Sequence, residues 1–201
     1  MTVQSVIVKN LRPTQIAVGK RLVKSKRKGL RNEERKPQEL VNFILANPIR
    51  VVTGPEDMQY IIDHHHLGLA LLKEGFKTSP VIVVADLSKL SLIDFWKEME
   101  KRQWVHPVDG KGRLQEISDV PTKLTDMEDD PYRSLAGFVR QRGGFTKTET
   151  PYMEFTWADY FRPLISAKML KANFDKAIQD AKDFAQNKSA AKLPGYIAPK
   201  A

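Results

Sequence analysis

Three consecutive histidines, His64, His65 and His66, follow an acid, Asp63, and these are three of the four histidines in the chain. Imidazoles exchange protons near neutral pH, and a histidine is a donor when protonated and a base when not. The run Gln59-Tyr60-Ile61-Ile62 ahead of it reads as a strand. The stripe Leu67, Ala70, Leu71 behind it, closing at Gly75, reads as a helix with a glycine C-cap. The triplet thus opens a helix, with Asp63 at the expected N-cap. A helix N-terminus carries unsatisfied N–H groups and a partial positive charge, which is why phosphates bind there. The expected phosphate site is the amides and side chains of His64, His65, His66 and Leu67, with His65, His66 and Asp63 as acid–base or electrophilic groups. Successive helical residues point about 100° apart, so at most two of the three histidines face one ligand. Metal binding ranks below phosphate, because helical metal pairs use i, i+3 or i, i+4 spacing. Surface capping by the triplet is the bland alternative.

The elements around the triplet set its position. Val3–Leu11 reads as a first strand, broken by Arg12-Pro13-Thr14-Gln15. The stretch from Lys20 to Lys36 holds nine Lys or Arg against two acids and reads as a solvated loop. Pro37 opens a helix with the stripe Leu40, Val41, Ile44, Leu45, ended by Asn47-Pro48. Ile49–Val52 and Gln59–Ile62 form a hairpin around Thr53–Asp57. Val81–Val84 reads as a buried strand, and Ser91–Arg102 as a helix with Phe95, Trp96 and Met99 inward. From Trp104 to Asp130 turn residues dominate, and Pro131–Arg142 and Trp157–Asn187 read as helical. The expected fold class is α+β: a mixed-sheet core over residues 1–103, a mainly helical extension over 104–187 packed on it, and a loose tail over 188–201.

Composition narrows the function classes. The 201-residue chain has no cysteine, so disulfides, zinc–cysteine sites and thiol nucleophiles are excluded. No apolar run approaches the ~20 residues that span a bilayer, and no signal peptide is read at the N-terminus. A cytoplasmic protein without membrane association is expected. The net charge of +9 favours polyanionic partners.

The run Tyr60-Ile61-Ile62-Asp63-His64-His65-His66-Leu67, then Ala70, Gly75 and Pro80-Val81-Ile82-Val83, resembles the ParB-like nuclease family. There a strand leads into a Gly-Glu-Arg-Arg element opening a helix, and Ile49-Arg50-Val51 resembles the preceding Pro-Ile-x-Val strand. The resemblance is closest to a histidine-triplet branch. That branch also carries elements like Arg12-Pro13-Thr14-Gln15, Val18-Gly19, Asp130-Pro131-Tyr132-Arg133-Ser134-Leu135, Gly143-Gly144 and Glu154–Arg162, and the likeness covers roughly residues 3 to 170. It implies a ParB/sulfiredoxin-like fold, a phosphate- or nucleotide-binding pocket, and nuclease or nucleotide-dependent phosphotransferase activity. The departures matter: histidines replace both arginines of the element, and the sulfiredoxin cysteine is absent, which excludes sulfinic-acid reduction. No helix-turn-helix of the plasmid-partition type is read.

Partners expected on this basis are nucleotide or nucleic-acid phosphates. Mg²⁺ at Asp63 or Glu56 is expected if a nucleotide is the substrate. Lys20 and Arg133 are candidate fixed cations for phosphate, with Arg21, Lys24, Arg140 and Arg162 as further ones. The bland readings are an Asp159–Arg162 helical ion pair and a solvated basic loop. The other function class is a nucleotide or nucleic-acid binding module without turnover.

Overall fold

The computed structural model describes residues 2–31 and 37–199. The chain divides into two units: Met1–Val18 with Val23–Asp129, and Gly19–Leu22 with Asp130–Ala201. The class is α+β, as expected. The part of the basic run at 32–36 lies outside the described residues.

The first unit is built on a four-stranded mixed sheet in the order β1 (Thr2–Ile7), β5 (Thr78–Asp86), β3 (Ile49–Thr53), β4 (Gln59–Asp63). β1 runs antiparallel to β5, β5 parallel to β3, and β3 and β4 form the expected antiparallel hairpin. Period-two alternation decides which side each residue faces. Ile49, Val51, Ile61 and Val81 join Leu67, Leu69, Ala70 and Leu71 of α3 (His65–Lys73) in one core. Ile44 of α2 (Pro37–Ala46) and Val23 and Leu30 of α1 (Lys20–Leu30) close that core. Val52 and Tyr60 belong to a second cluster, with Phe95 and Met99 of α4 (Leu92–Lys101). There the Tyr60 ring sits 4.6 Å from Phe95 and 5.5 Å from Trp96, tilted and edge-on as aromatic quadrupoles prefer.

Four expectations change. The first strand stops at Ile7, because Val8–Asn10 tightens into a 3₁₀ turn that buries Val8. The basic run is not a loop up to Leu30: Leu22, Val23 and Leu30 give it a buried face, and it is the helix α1. β5 is central, yet only Ser79 and Val81 are fully buried and Ile82–Ala85 are half-buried. The stretch 157–187 is three helices: the end of α6 (Met153–Phe161), α7 (Ala167–Ala172) and α8 (Phe174–Ala185).

A strap runs beside the free edge of β4. The Arg12 amide donates to the Gln59 carbonyl (2.9 Å) and the Ile61 amide to the Arg12 carbonyl (2.8 Å). The His106 amide then donates to Thr14 O, and the Glu128 amide to Ile16 O, each at 2.8 Å. The strap ends in β2 (Ala17–Val18), paired in parallel with β6 (Glu128–Asp129). The turn after His106 is knotted by Asp109. Its buried carboxylate accepts from the amides of Lys111 (2.8 Å) and Arg113 (2.9 Å), Arg113 Nε (2.8 Å) and Gln115 Nε2 (3.1 Å). Burial pushes the Asp109 carboxyl up, but the backbone and side-chain bonds from Arg113 and the Lys111 amide outweigh it and hold it at about 2, against an ordinary 3.8. A depressed carboxyl stabilises the fold above its unfolded pKa and stops doing so as pH falls through the folded one. Asp109→Asn is therefore expected to remove on the order of 2 kcal/mol at neutral pH. Urea titrations of parent and variant should converge as pH drops from about 4 towards 2. A gap that persists unchanged at pH 2 contradicts this assignment.

The second unit packs α5 (Pro131–Gln141), α6, α7 and α8 around Trp157, Phe161, Leu135 and Ile178. Phe145 stacks on Trp157 at 4.2 Å and 7°. Gly19 touches α5 so closely that a Cβ there would lie 2.8 Å from the Ser134 amide. Residues 188–199, expected to trail, are held down: Trp157 Nε1 donates to Pro194 O (2.8 Å), the Thr146 amide donates to Gly195 O (2.8 Å), and Ala190 is fully buried. Among the described residues no helix is long and apolar enough to cross a membrane.

Candidate functional site

Seven consecutive residues of α3, His65 to Leu71, are buried, so this helix is enclosed rather than amphipathic. Gly68 permits its approach to β4; a Cβ there would lie 2.8 Å from Ile61 Cδ1. A full Schellman turn ends the helix: the amides of Gly75 and Phe76 donate to Leu72 O and Leu71 O, each at 3.1 Å, with Gly75 at φ 77°. The expected glycine stop is thus where the sequence put it. What reaches the surface at the other end is the corner between β4 and α3.

That corner starts one residue later than expected. Asp63 is the last residue of β4, and His64 is the N-cap, with φ 70° and ψ 31°. Outside Gly this left-handed conformation is uncommon, and Asn, Asp and His are the residues enriched in it. Asp63 does not cap α3; its Oδ1 accepts the His64 amide at 2.7 Å. The half-exposed His64 ring puts Nδ1 3.1 Å from Asn47 O and 2.9 Å from Pro48 O. Both neighbours are acceptors, so Nδ1 carries the proton and Nε2 is the ring nitrogen left for other partners. Nε2 lies 3.9 Å from Asp63 Oδ2. Arg50 stands opposite Asp63 in the β3–β4 register, which adds a cation on the same sheet face.

The other triplet members turn inward. His65 is 2% exposed, and its Nε2 accepts the buried Thr14 amide at 3.1 Å. An N–H donated to Nε2 requires that nitrogen to be unprotonated, so His65 is the neutral Nδ1–H tautomer. The Thr14 hydroxyl donates to Ile61 O at 2.7 Å, 3.3 Å from the same Nε2. His65 therefore ties the strap to the helix start. His66 is also buried, at 8% exposure. The Leu67 amide is committed to His64 O (2.9 Å) and its side chain to the core, so the phosphate contact expected of Leu67 is replaced by an intrahelical bond.

The remaining candidates belong to other elements. Lys20 and Arg133 belong to the second unit. The Arg133 guanidinium is 3.6 Å from Glu154 Oε2 and stacks over Phe155 at 5.1 Å, while Arg140 Nε is 3.0 Å from Glu154 Oε1. Arg162 makes the expected pair with Asp159 (3.2 Å) and also binds the fully buried Asp130 (3.0 Å). Glu56 lies in the hairpin turn at φ 59°, beyond the opposite end of β4 from Asp63, and that strand is itself about 13 Å long at ~3.3 Å per residue. Among the described residues no group of three or more His, Asp or Glu side chains is placed to hold a metal ion. Clefts of about 300 Å³, at Asp86–Leu90, and 330 Å³, between Ile7 and Gln59, have none of Asp63–His66 in their lining. Sequence reasoning missed Thr14 and the carbonyls of Asn47 and Pro48. Thr14 was a visible polar residue inside a distinctive element, but the backbone acceptors left no trace in residue type.

A family model described as "Putative ParB-like nuclease" matches residues 4–163, which takes in the strap, the triplet and Glu154–Arg162. The crystal structure of protein Atu1540 from Agrobacterium tumefaciens is similar over 100% of both chains, with 39% identity and a TM-score of 0.90. A conserved hypothetical protein from Pyrococcus furiosus aligns at 15% identity over 42% of this chain and 33% of its own, with a TM-score of 0.30. No curated protein matches the chain.

Proposed function

The chain belongs to the ParB-like nuclease family, and from that premise we propose that the Asp63–His64 corner binds a phosphoryl group of a nucleotide or nucleic acid and acts on it. The observation that carries this reading is the N-cap residue of α3, His64, whose ring is fixed through Nδ1 by two backbone carbonyls. Protonated Nε2 donates to a phosphate oxygen or to the leaving oxygen; neutral Nε2 takes a proton from attacking water. The helix dipole and Arg50 favour the anion. Asp63 sits beside Nε2 and stabilises the imidazolium. His65 is a positioning residue, which sets the helix start against Thr14, and His66 completes the packed first turn behind the corner. Hydrolysis of a phosphodiester is the reaction favoured by the family, with nucleotide-dependent phosphoryl transfer as the other form of the same chemistry. Binding without turnover is the second function class.

His64→Asn tests the proposal. Asparagine tolerates the left-handed conformation, and its amide N–H can reach the carbonyls that Nδ1 now meets. It lacks Nε2. Turnover of labelled nucleic acid or nucleoside triphosphate is expected to fall about 10²–10⁴-fold, with an unchanged Tm. Unchanged turnover, or unchanged phosphate affinity by calorimetry, contradicts the assignment. If the parent binds these ligands without converting them, the binding module replaces the enzyme.

A further inference from the structure

The helix α1 has a composition that solvation alone does not explain. Its eleven residues, Lys20–Leu30, contain six Lys or Arg and no acid. Surface helices usually interleave signs, because like charges four residues apart repel and opposite ones attract. Leu22, Val23 and Leu30 fix which face is inward. Lys24, Lys28 and Arg31 are exposed on the other side, at i, i+4 and i+7, and so form one ridge. Glu74 is shared between Arg27 Nε and Arg31 Nε. Hydrogen bonds from Arg31, then Arg27, hold its carboxyl below the ordinary carboxylate value. The clamp neutralises Glu74 and pins the ridge to the C-terminal end of α3, beside the exposed Lys73. The ridge meets one end of α3 and the histidine corner forms the other, about 12 Å away at ~1.5 Å per residue from His65 to Lys73. That separation equals three to four steps of duplex rise at ~3.4 Å.

We infer that Lys24, Lys28, Arg31 and Lys73 form a track for nucleic-acid backbone phosphates, so that a polynucleotide rather than a free nucleotide is what reaches the Asp63–His64 corner. The polymer assignment rests on the phosphoryl reading of that corner; the track itself does not. No aromatic side chain interrupts Lys20–Arg31, so the track reads charge and not bases.

The test is retention of a short labelled DNA duplex by fluorescence anisotropy across a salt series, for the parent, the triple variant Lys24→Gln/Lys28→Gln/Lys73→Gln, and His64→Asn. Circular dichroism checks that each variant is folded. Each lost phosphate contact flattens the log affinity against log salt slope by about 0.9, so the triple variant should be shallower by about 2–3 units. Its calorimetric affinity for inorganic phosphate should not change, whereas His64→Asn should keep the salt slope and lose phosphate. An unchanged slope in the triple variant overturns the track, as does a parent that retains no duplex at low salt. Loss of inorganic phosphate binding in the triple variant overturns the separation of track from corner. A parent that binds duplex with the expected slope but no phosphate sinks the corner and leaves the track standing.

Discussion

Asp130→Ala should cost about 3–5 kcal/mol and unfold the second unit well before the first in a urea titration followed by Trp157 fluorescence in a background with Trp96 and Trp104 replaced by phenylalanine. The Asp130 side chain has no solvent exposure. One oxygen caps α5, accepting the amides of Tyr132 (2.8 Å) and Arg133 (3.1 Å). The other accepts from Arg162 Nη2 (3.0 Å), which stacks over Tyr132 at 4.8 Å. Tyr132 in turn donates its hydroxyl to Ile165 O (2.7 Å). One carboxylate thus fixes the start of α5, the end of α6 and the segment after it. Its removal leaves the mostly covered Arg162 guanidinium paired with the exposed Asp159 alone of the two carboxylates, and breaking a buried pair costs far more than the pair contributes relative to apolar residues. Asp130→Asn keeps the cap but not the charge and should fall between parent and alanine. A loss below about 1 kcal/mol for the alanine variant would show that the network relaxes onto water.

The second large effect is His65→Ala, for which a loss of about 3 kcal/mol is expected: a buried ring leaves a cavity, and the Thr14 amide loses its acceptor. The readout that separates a tether from simple packing is amide hydrogen exchange at Thr14. It should accelerate roughly hundredfold with the same loss of stability. His65→Gln offers an acceptor oxygen and should recover part of the protection. His65→Leu fills the space without an acceptor and should not. Equal protection in the glutamine and leucine variants would assign His65 to packing alone.

The core elements were legible wherever the hydrophobic period was unambiguous. The hairpin, α3 with its Gly75 stop, and α5 follow from alternation, stripes and glycine or proline punctuation in the sequence itself. α1 was hidden because the apolar pair Leu22-Val23 and the lone Leu30 are too sparse a signal across the six polar or glycine residues that separate them. The helix start was misplaced by one residue because Asp63 has the composition of a cap, whereas His64 takes the strained conformation. That choice depends on the carbonyls of Asn47 and Pro48, which residue type does not reveal. The triplet was correctly seen not to act as one face, but periodicity could not tell which ring stays outside. Thr14, fifty-one residues away from His65, decides it.

The discontinuous second unit has a consequence for anyone who would divide the gene. Gly19–Leu22 groups with Asp130–Ala201 although more than a hundred residues of the other unit intervene. Within it the Arg21 guanidinium donates to Leu170 O (3.0 Å) and lies over the Phe174 ring at 4.2 Å, and Leu22 fills the space that Gly137 leaves. A single scission at 129/130 would therefore strip the C-terminal fragment of its own wall residues. The severed halves should be complementing fragments rather than portable modules, because Gly19–Leu22 stay on the N-terminal piece while their neighbours leave with the C-terminal one.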